Sequence, residues 1–122
     1  MERVEEFSLE GKNFMYVDFS GCMIKEDFLR IIDMVDPLMA KYPDQSLYTI
    51  TNIENIRIDL ESREEIVKYL ERNKSHVKYG AVFGIDGIKK VMLKGMFEVS
   101  DRNNMHFAFT KDQAITWLLQ QN

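Results

Sequence analysis

The stretch YGAVFGIDGIKKVMLKGMF, residues 79–97, decides the fold of this chain. Its first part is rich in aromatic, small and β-branched residues, which is typical of a buried strand. Its second part repeats apolar residues at helical spacing. Gly84 and Gly87 lie between the two parts, where glycine allows the positive φ of a tight turn. A strand that turns directly into a helix is half of a βαβ unit, so the stretch predicts an α/β protein.

The same alternation continues in both directions from residues 79–97. At the start, two β-like runs are separated by EGKN, in which Gly11 fits a hairpin turn. Further helices are predicted over 24–42, where Pro37 is expected to kink or split the helix, from Ser62, and after Thr110. Ser62 and Thr110 each precede Glu or Gln by three residues, the spacing of a capping box. The predicted strands cover residues 3–9, 13–19, 46–53, 77–84 and 104–109.

The resulting order, β-β-α-β-α-β-α-β-α, predicts a mixed sheet of about five strands. Right-handed crossovers make the later strands parallel, and the opening hairpin adds an antiparallel edge. With 122 residues, of which 45% are apolar and 30% charged, we expect one globular domain over residues 1–122.

Charge and cysteine content narrow the classes of function. A net charge of −4 argues against a general nucleic-acid binder, although a local basic patch is compatible with it. The single cysteine, Cys22, has no partner for an intramolecular disulfide, which favours a reducing compartment. No run approaches the roughly 20 apolar residues of a membrane span. We therefore expect a cytoplasmic protein without an integral membrane segment.

The glycines of residues 79–97 raise the question of a phosphate site. A Walker loop requires Lys followed by Ser or Thr, and the dinucleotide fingerprint requires its glycines after the first strand of the fold; neither pattern is present. A generic anion-binding turn formed by Gly84, Gly87 and Lys89 stays as an alternative. Asp86 is placed to cap the following helix and would repel an anion, so turn geometry is favoured.

The helix over residues 88–99 carries two apolar stripes. At about 100° per residue, six positions form one continuous arc, which we expect to face the core. Leu93 and Phe97 fall outside that arc, so a neighbouring element, a partner chain or a ligand must cover them. We expect a partner or ligand surface that comprises these two residues together with Met92 and Met96 of the arc. The six positions of the inward arc are Ile88, Val91, Met92, Gly95, Met96 and Val99.

Catalytic patterns are weak in this chain. His76 and His106 stand alone in sequence, outside any metal-ligand spacing. Asp18 and Asp59 lie near the ends of predicted elements, but no Ser-His-Asp or Cys-His set can be assembled with them. We expect no enzyme activity, no metal and no cofactor.

Five segments carry a resemblance to a known family: MYVDFSG, KEDFLRIID, SLYTITNI, HVKYGAVFGIDGIKKVML and NMHFAFTKDQAITWL. Together they resemble the SpoIIAA-like proteins, which are grouped with the STAS fold. The resemblance implies a mixed sheet of four or five strands flanked by helices, and a regulatory or binding role. Related anti-sigma-factor antagonists carry a phosphorylatable Ser, in an Asp-Ser-Ser-Gly stretch, where this chain has IDLESREE.

Ser62 is the only hydroxyl residue in that segment and is thus the candidate phosphoacceptor. Neighbouring Glu61, Glu64 and Glu65 would repel a phosphate, so helix capping is the favoured role of Ser62. The function we expect is a non-catalytic regulatory or binding module that contacts a protein partner or a second copy of itself. The alternative is a carrier of a small apolar or lipid-like ligand.

Overall fold

A computed structural model of the chain describes residues 2–85 and 87–122. Its elements follow the predicted order: β1 (Val4–Leu9), β2 (Lys12–Asp18), α1 (Lys25–Met39), β3 (Leu47–Asn52), α2 (Leu60–Asn73), β4 (Val77–Phe83), α3 (Gly87–Val99), β5 (Met105–Ala108) and α4 (Lys111–Leu119).

The five strands form one mixed sheet in the order β1-β2-β3-β4-β5. Strand β1 pairs antiparallel with β2, and the other neighbours are parallel, as predicted. The β1–β2 turn has positive φ at both Glu10 and Gly11, at 49° and 78°. Two residues of positive φ give the hairpin a twist that matches its strands, which confirms the predicted role of Gly11.

Three helices cover one face of the sheet and one helix covers the other. Strands β2 to β5 are neighbours in chain order, so right-handed crossovers place α1, α2 and α3 on the same side. The core on that side joins side chains of these helices to alternate residues of the strands, such as Met15, Val17 and Val82. On the opposite face α4 packs Ala114 and Leu118 against the second set of strand residues, Phe14, Tyr48, Ile50, Ala81 and Phe83.

Two predictions about the helices, at Pro37 and Ser62, differ from the structure, and a third, the cap at Thr110, is confirmed. Helix α1 runs through Pro37 to Met39 as one helix, so of the two expected effects of Pro37, a kink or a split, the split is wrong. Helix α2 is capped by Asp59, whose carboxylate accepts a 2.9 Å hydrogen bond from the N–H of Ser62. Ser62 therefore lies inside the first turn and is not the cap. Thr110 caps α4 as predicted, since its hydroxyl accepts from the N–H of Gln113 at 3.1 Å.

Candidate functional site

Helix α3, which carries most of the predicted site residues, lies with the opposite face inward. Leu93, Met96 and Phe97 are only 4%, 0% and 6% exposed and belong to the core. The ring of Phe97 lies 5.7 Å from the ring of Phe107 in β5. Three of the four residues of the predicted partner or ligand surface are thus covered by neighbouring elements of the chain itself, which was the first of the alternatives for covering Leu93 and Phe97.

Most of the arc expected to pack inward is exposed, although one of its members, Met96, is buried as expected. Ile88, Val91 and Val99 are 80%, 69% and 61% exposed, and Met92 is 37% exposed. Their spacing of three, four and seven residues puts them on one side of α3 over its whole length. We name Ile88, Val91, Met92 and Val99 the outer stripe.

Gly95 lies in the middle of the outer stripe. A Cβ added to it would meet no atom within 4 Å, so nothing in the chain requires a glycine at this position for space. Glycine inside a helix costs about 1 kcal/mol relative to alanine. The outer stripe thus has a shallow centre, with Ile88, Val91 and Met92 towards its N-terminal end and Val99 towards its C-terminal end. Contiguous exposed apolar surface of this kind marks an interaction site more often than an isolated exposed residue does.

The inner face of α3 closes a small apolar cavity. The cavity has a volume of about 50 Å³, and its walls include Phe28, Tyr69, Leu93 and Phe97. Burial raises the pKa of the Tyr69 hydroxyl, which therefore stays protonated. For comparison, a cavity of about 150 Å³ holds one benzene molecule. In this conformation the cavity is too small for a lipid-like ligand.

The turn before α3 is explained by backbone geometry. Gly84 has φ of +91°, and a Cβ there would lie 2.9 Å from the backbone nitrogen of Glu54. Gly87 also has positive φ, +56°, with open space beside it. The Lys89 ammonium donates a hydrogen bond to the carbonyl oxygen of Ile56, which connects α3 to the loop after β3. Turn geometry is confirmed for both glycines, whereas the anion-binding role stays a prediction; Asp86 lies outside the described residues.

Ser62, the candidate phosphoacceptor, is fully buried. Its hydroxyl can reach an enzyme only if the first turn of α2 opens. The Asp59 carboxylate already occupies the start of that helix, and its hydrogen bond from the N–H of Ser62 lowers the pKa of Asp59. A phosphate on Ser62 would meet that carboxylate as well as the neighbouring glutamates. The structure therefore offers no accessible phosphorylation site at Ser62.

The residues considered for catalysis lie apart. Asp18 is buried at the end of β2, where it accepts a 2.8 Å hydrogen bond from the N–H of Ser20. His106 lies on β5, three strand spacings away, which is roughly 14 Å. Its ring stacks on Trp117 at 4.2 Å between centroids. Nδ1 of His76 is hydrogen-bonded to the Tyr42 carbonyl at 2.7 Å. Within residues 2–85 and 87–122, no group of three or more His, Cys, Asp or Glu residues is arranged to hold a metal.

A basic groove along β5 was missed from the sequence. It has a volume of about 440 Å³ and lies between α3 and β5. Its basic residues come from α3, from the loop after α3 and from β5, and Glu98 is the acidic residue among its walls. The sequence feature that could have predicted the groove is the four-residue spacing of Lys90 and Lys94, because it places both lysines on one side of a helix. We name Lys90, Lys94, Arg102 and His106 the basic groove.

Arg102 is the buried member of the basic groove. Its guanidinium donates to the carbonyl oxygen of Leu70 and to Oδ1 of Asn73, at the end of α2, and to Oδ1 of Asn104 at 3.0 Å. Burial lowers its pKa to about 10, so it is still charged at neutral pH. No carboxylate lies within ion-pair distance of it in the described part of the chain. The negative end of the α2 dipole offsets part of the cost of burying this charge.

Over the described ranges, none of the four helices combines the length and apolar character needed to cross a membrane. No protein-family model matches the chain, and no curated protein sequence matches it.

Proposed function

We propose that the chain is a non-catalytic binding module of the SpoIIAA-like, STAS-fold kind, and that it acts by protein–protein interaction through the outer stripe of α3. Two kinds of observation support the proposal. The five-stranded mixed sheet agrees with the sheet that the sequence resemblance implies. The single observation that carries the function is the exposure of four apolar side chains along one side of α3. A reducing, cytoplasmic setting is part of the proposal, since Cys22 is a buried free thiol.

The energetics favour covering the outer stripe. Fully burying one Val, Ile or Met side chain contributes about 1.5 to 3 kcal/mol. Val and Ile are also poorer helix formers than Leu, Lys or Glu, so local helix propensity gives no reason for their presence on the exposed side of α3. An interaction with another protein gives that reason.

The partner that the outer stripe fits is a second copy of the chain. Val91 and Val99 each lie four residues from Gly95, or about 6 Å along the helix. Two α3 helices that cross antiparallel at Gly95 therefore bring Val91 of each copy against Val99 of the other. Most homodimers have such a two-fold axis, which makes the two contacts identical.

Charge at the border of the outer stripe is compatible with this pairing. Lys94 and Glu98 lie on the same side of the stripe, one turn apart. A two-fold axis through Gly95 keeps these borders on the same side of the dimer, so Lys94 of one copy approaches both Glu98 and Lys94 of the other, and the attraction and the repulsion largely cancel. Such rim charges contribute mainly to specificity and orientation, and the apolar centre contributes the affinity.

A charged pair of substitutions tests the proposal. Val91→Lys with Val99→Lys puts ammonium groups on the outer stripe, at positions where Lys has the better helix propensity. The matched control is Met34→Lys, on the exposed side of α1, which α2 separates from α3. In sedimentation equilibrium we expect a dimer for the wild type and for the control, and a monomer for the double variant, whose far-UV circular dichroism should match that of the wild type and so show that the fold is kept. A wild type that stays monomeric at every concentration, or a double variant that dimerises like the wild type, overturns the proposal.

The second candidate function, a carrier of a small apolar ligand, is favoured by the cavity under α3. Its walls are largely apolar, but its present volume of about 50 Å³ means that α3 must move before a lipid-like molecule can enter. Native mass spectrometry of freshly purified protein tests this function. A co-purifying apolar mass that is lost in Leu93→Trp, which fills the cavity, supports the carrier; a wild type that carries no such mass contradicts it.

A further inference from the structure

The sheet has two edges, and they are protected differently. Strand β1 places Glu5 and Glu6 at one edge. Strand β5, with the sequence MHFA, forms the other edge and contains neither Lys, Glu nor Pro, which are the residues that commonly block edge pairing. Among residues 2–85 and 87–122, β5 pairs with β4 only, so one side of its backbone has no strand from this part of the chain beside it.

The register identifies which backbone groups are free. The N–H of Gly80 donates to the carbonyl oxygen of Asn104 at 3.0 Å. In a parallel ladder alternate residues face the partner strand, so His106 and Ala108 also turn their backbone groups to β4. Met105 and Phe107 therefore direct their N–H and C=O groups outward. These four groups are enough to bind a short extended segment.

The basic groove lies directly along this free edge. Lys90 and Lys94 stand on its α3 side, and the Lys90 ammonium lies 5.2 Å above the ring of Phe107. Neither lysine forms an ion pair with a carboxylate in the described part of the chain. With Arg102 the groove holds three fixed positive charges against the single carboxylate of Glu98, in a chain whose net charge is −4. The groove thus attracts negative charge that the rest of the surface repels.

From this arrangement we infer a second binding site, distinct from the outer stripe: β5 and the basic groove bind an acidic segment of polypeptide in extended conformation, which adds a sixth strand to the sheet. The backbone of the segment pairs with Met105 and Phe107. Its side chains point alternately to the two faces of the sheet. Those on the α3 side meet Lys90 and Lys94 and are acidic.

The other face of the sheet defines the remaining positions of the segment. There His106 stacks on Trp117 with an angle of 3° between the rings. This flat aromatic pair suits apolar or aromatic side chains. The recognised pattern is therefore acidic and apolar residues in alternation. A nucleic acid offers the negative charge but no backbone N–H and C=O groups to pair with β5.

The test uses a fluorescein-labelled peptide in which Glu and Val alternate, and a control peptide in which Lys replaces Glu. By fluorescence anisotropy we expect the protein to bind the Glu peptide and not the Lys peptide. The variant with Lys90→Glu and Lys94→Glu should bind the Glu peptide about tenfold more weakly or worse, as expected when close charge pairs are reversed. Lys41→Glu with Lys68→Glu, outside the groove, changes the net charge equally and should leave the affinity unchanged.

Hydrogen exchange separates strand addition from simple charge attraction. Binding of the Glu peptide should slow exchange of the Met105 and Phe107 amides, and should change the fluorescence of Trp117, the one tryptophan of the chain. Val91→Lys with Val99→Lys should leave this binding intact, so the groove and the outer stripe succeed or fail separately. Three results overturn the inference: equal binding of both peptides, tighter binding of a single-stranded oligonucleotide than of the Glu peptide, or unprotected amides at Met105 and Phe107.

Discussion

Helix α3 has two apolar faces, which differ in their exposure to solvent. The inner face consists of Leu93, Met96 and Phe97 and is buried, whereas the outer stripe is exposed. The inner residues have long or planar side chains that reach the sheet, as the contact of Phe97 with Phe107 shows. The outer residues are mainly short and β-branched. The contact between Phe97 and Phe107 fits this orientation, and helical periodicity alone does not describe it.

The largest effect is expected from Phe97→Ala, which truncates the inner face. Replacing a buried Phe by Ala costs about 3 to 5 kcal/mol of unfolding free energy, because the packing is lost and a cavity remains. This cavity would add to the one that already lies beside Phe97. Val91→Ala on the outer stripe should change the stability of the monomer by less than about 0.5 kcal/mol. Urea denaturation measures both variants, and equal losses would contradict the assignment of the two faces.

The next largest effect is expected from Arg102→Met, which tests what fixes the inner face in place. Arg102 follows α3 and joins it to the end of α2 through Leu70 and Asn73. Removing the guanidinium takes a hydrogen bond from the carbonyl of Leu70 and another from the buried amide oxygen of Asn73, at a cost of about 2 to 3 kcal/mol.

Arg102→Lys is the control for this substitution. It keeps the charge but cannot make the same set of hydrogen bonds, and it should recover only part of the loss. Thermal and urea unfolding of the two variants provide the measurement. If Arg102→Met is as stable as the wild type, Arg102 does not hold α3 in this orientation.

A smaller effect is expected from Gly84→Ala, which disturbs the entry of α3. Gly84 has φ of +91°, and a Cβ would press on the backbone of Glu54. We expect a loss of about 1 to 2 kcal/mol. Gly87→Ala, with φ of +56° and open space, should cost less. If the order of these two losses in urea denaturation is reversed, the close approach to Glu54 is not what requires a glycine at Gly84.

The smallest expected change is a gain in stability from Gly95→Ala. Alanine at this open helical position should stabilise the monomer by up to about 1 kcal/mol. The same methyl group lies where two α3 helices cross, so it should weaken dimerisation. Opposite signs in the two measurements, unfolding of the monomer and sedimentation of the dimer, would sharpen the distinction between the two faces. A variant with the same dimer affinity as the wild type would place the crossing point elsewhere.

Much of the fold could be predicted because its signals are local. The β-branched run before Asn52, the glycine of the hairpin and the Thr110 cap each specify structure within a few residues. The face of α3 could not be predicted in the same way. Two apolar arcs on one helix are equally compatible with the sequence period, and the choice between them depends on the sheet that the helix meets.

The errors at the candidate sites have similar physical origins. Ser62 fits a capping box with Glu65, but Asp59 lies three residues earlier and begins the helix there, because its carboxylate accepts a hydrogen bond from the N–H of Ser62. The basic groove was missed because its residues come from separate elements. The burial of Arg102 in particular depends on the packing of α2 against the segment after α3.

The measurement that most directly tests the central claim is disulfide cross-linking of Gly95→Cys. The position has room for the side chain. The native thiol of Cys22 is buried with its pKa raised to about 11, so it does not compete. If α3 helices cross at Gly95, mild oxidation at a protein concentration that populates the weakened dimer should convert the variant to a covalent dimer, whereas Met34→Cys on α1 should stay monomeric. A Gly95→Cys protein that cross-links no faster than Met34→Cys would contradict the claim that the outer stripe binds a second copy.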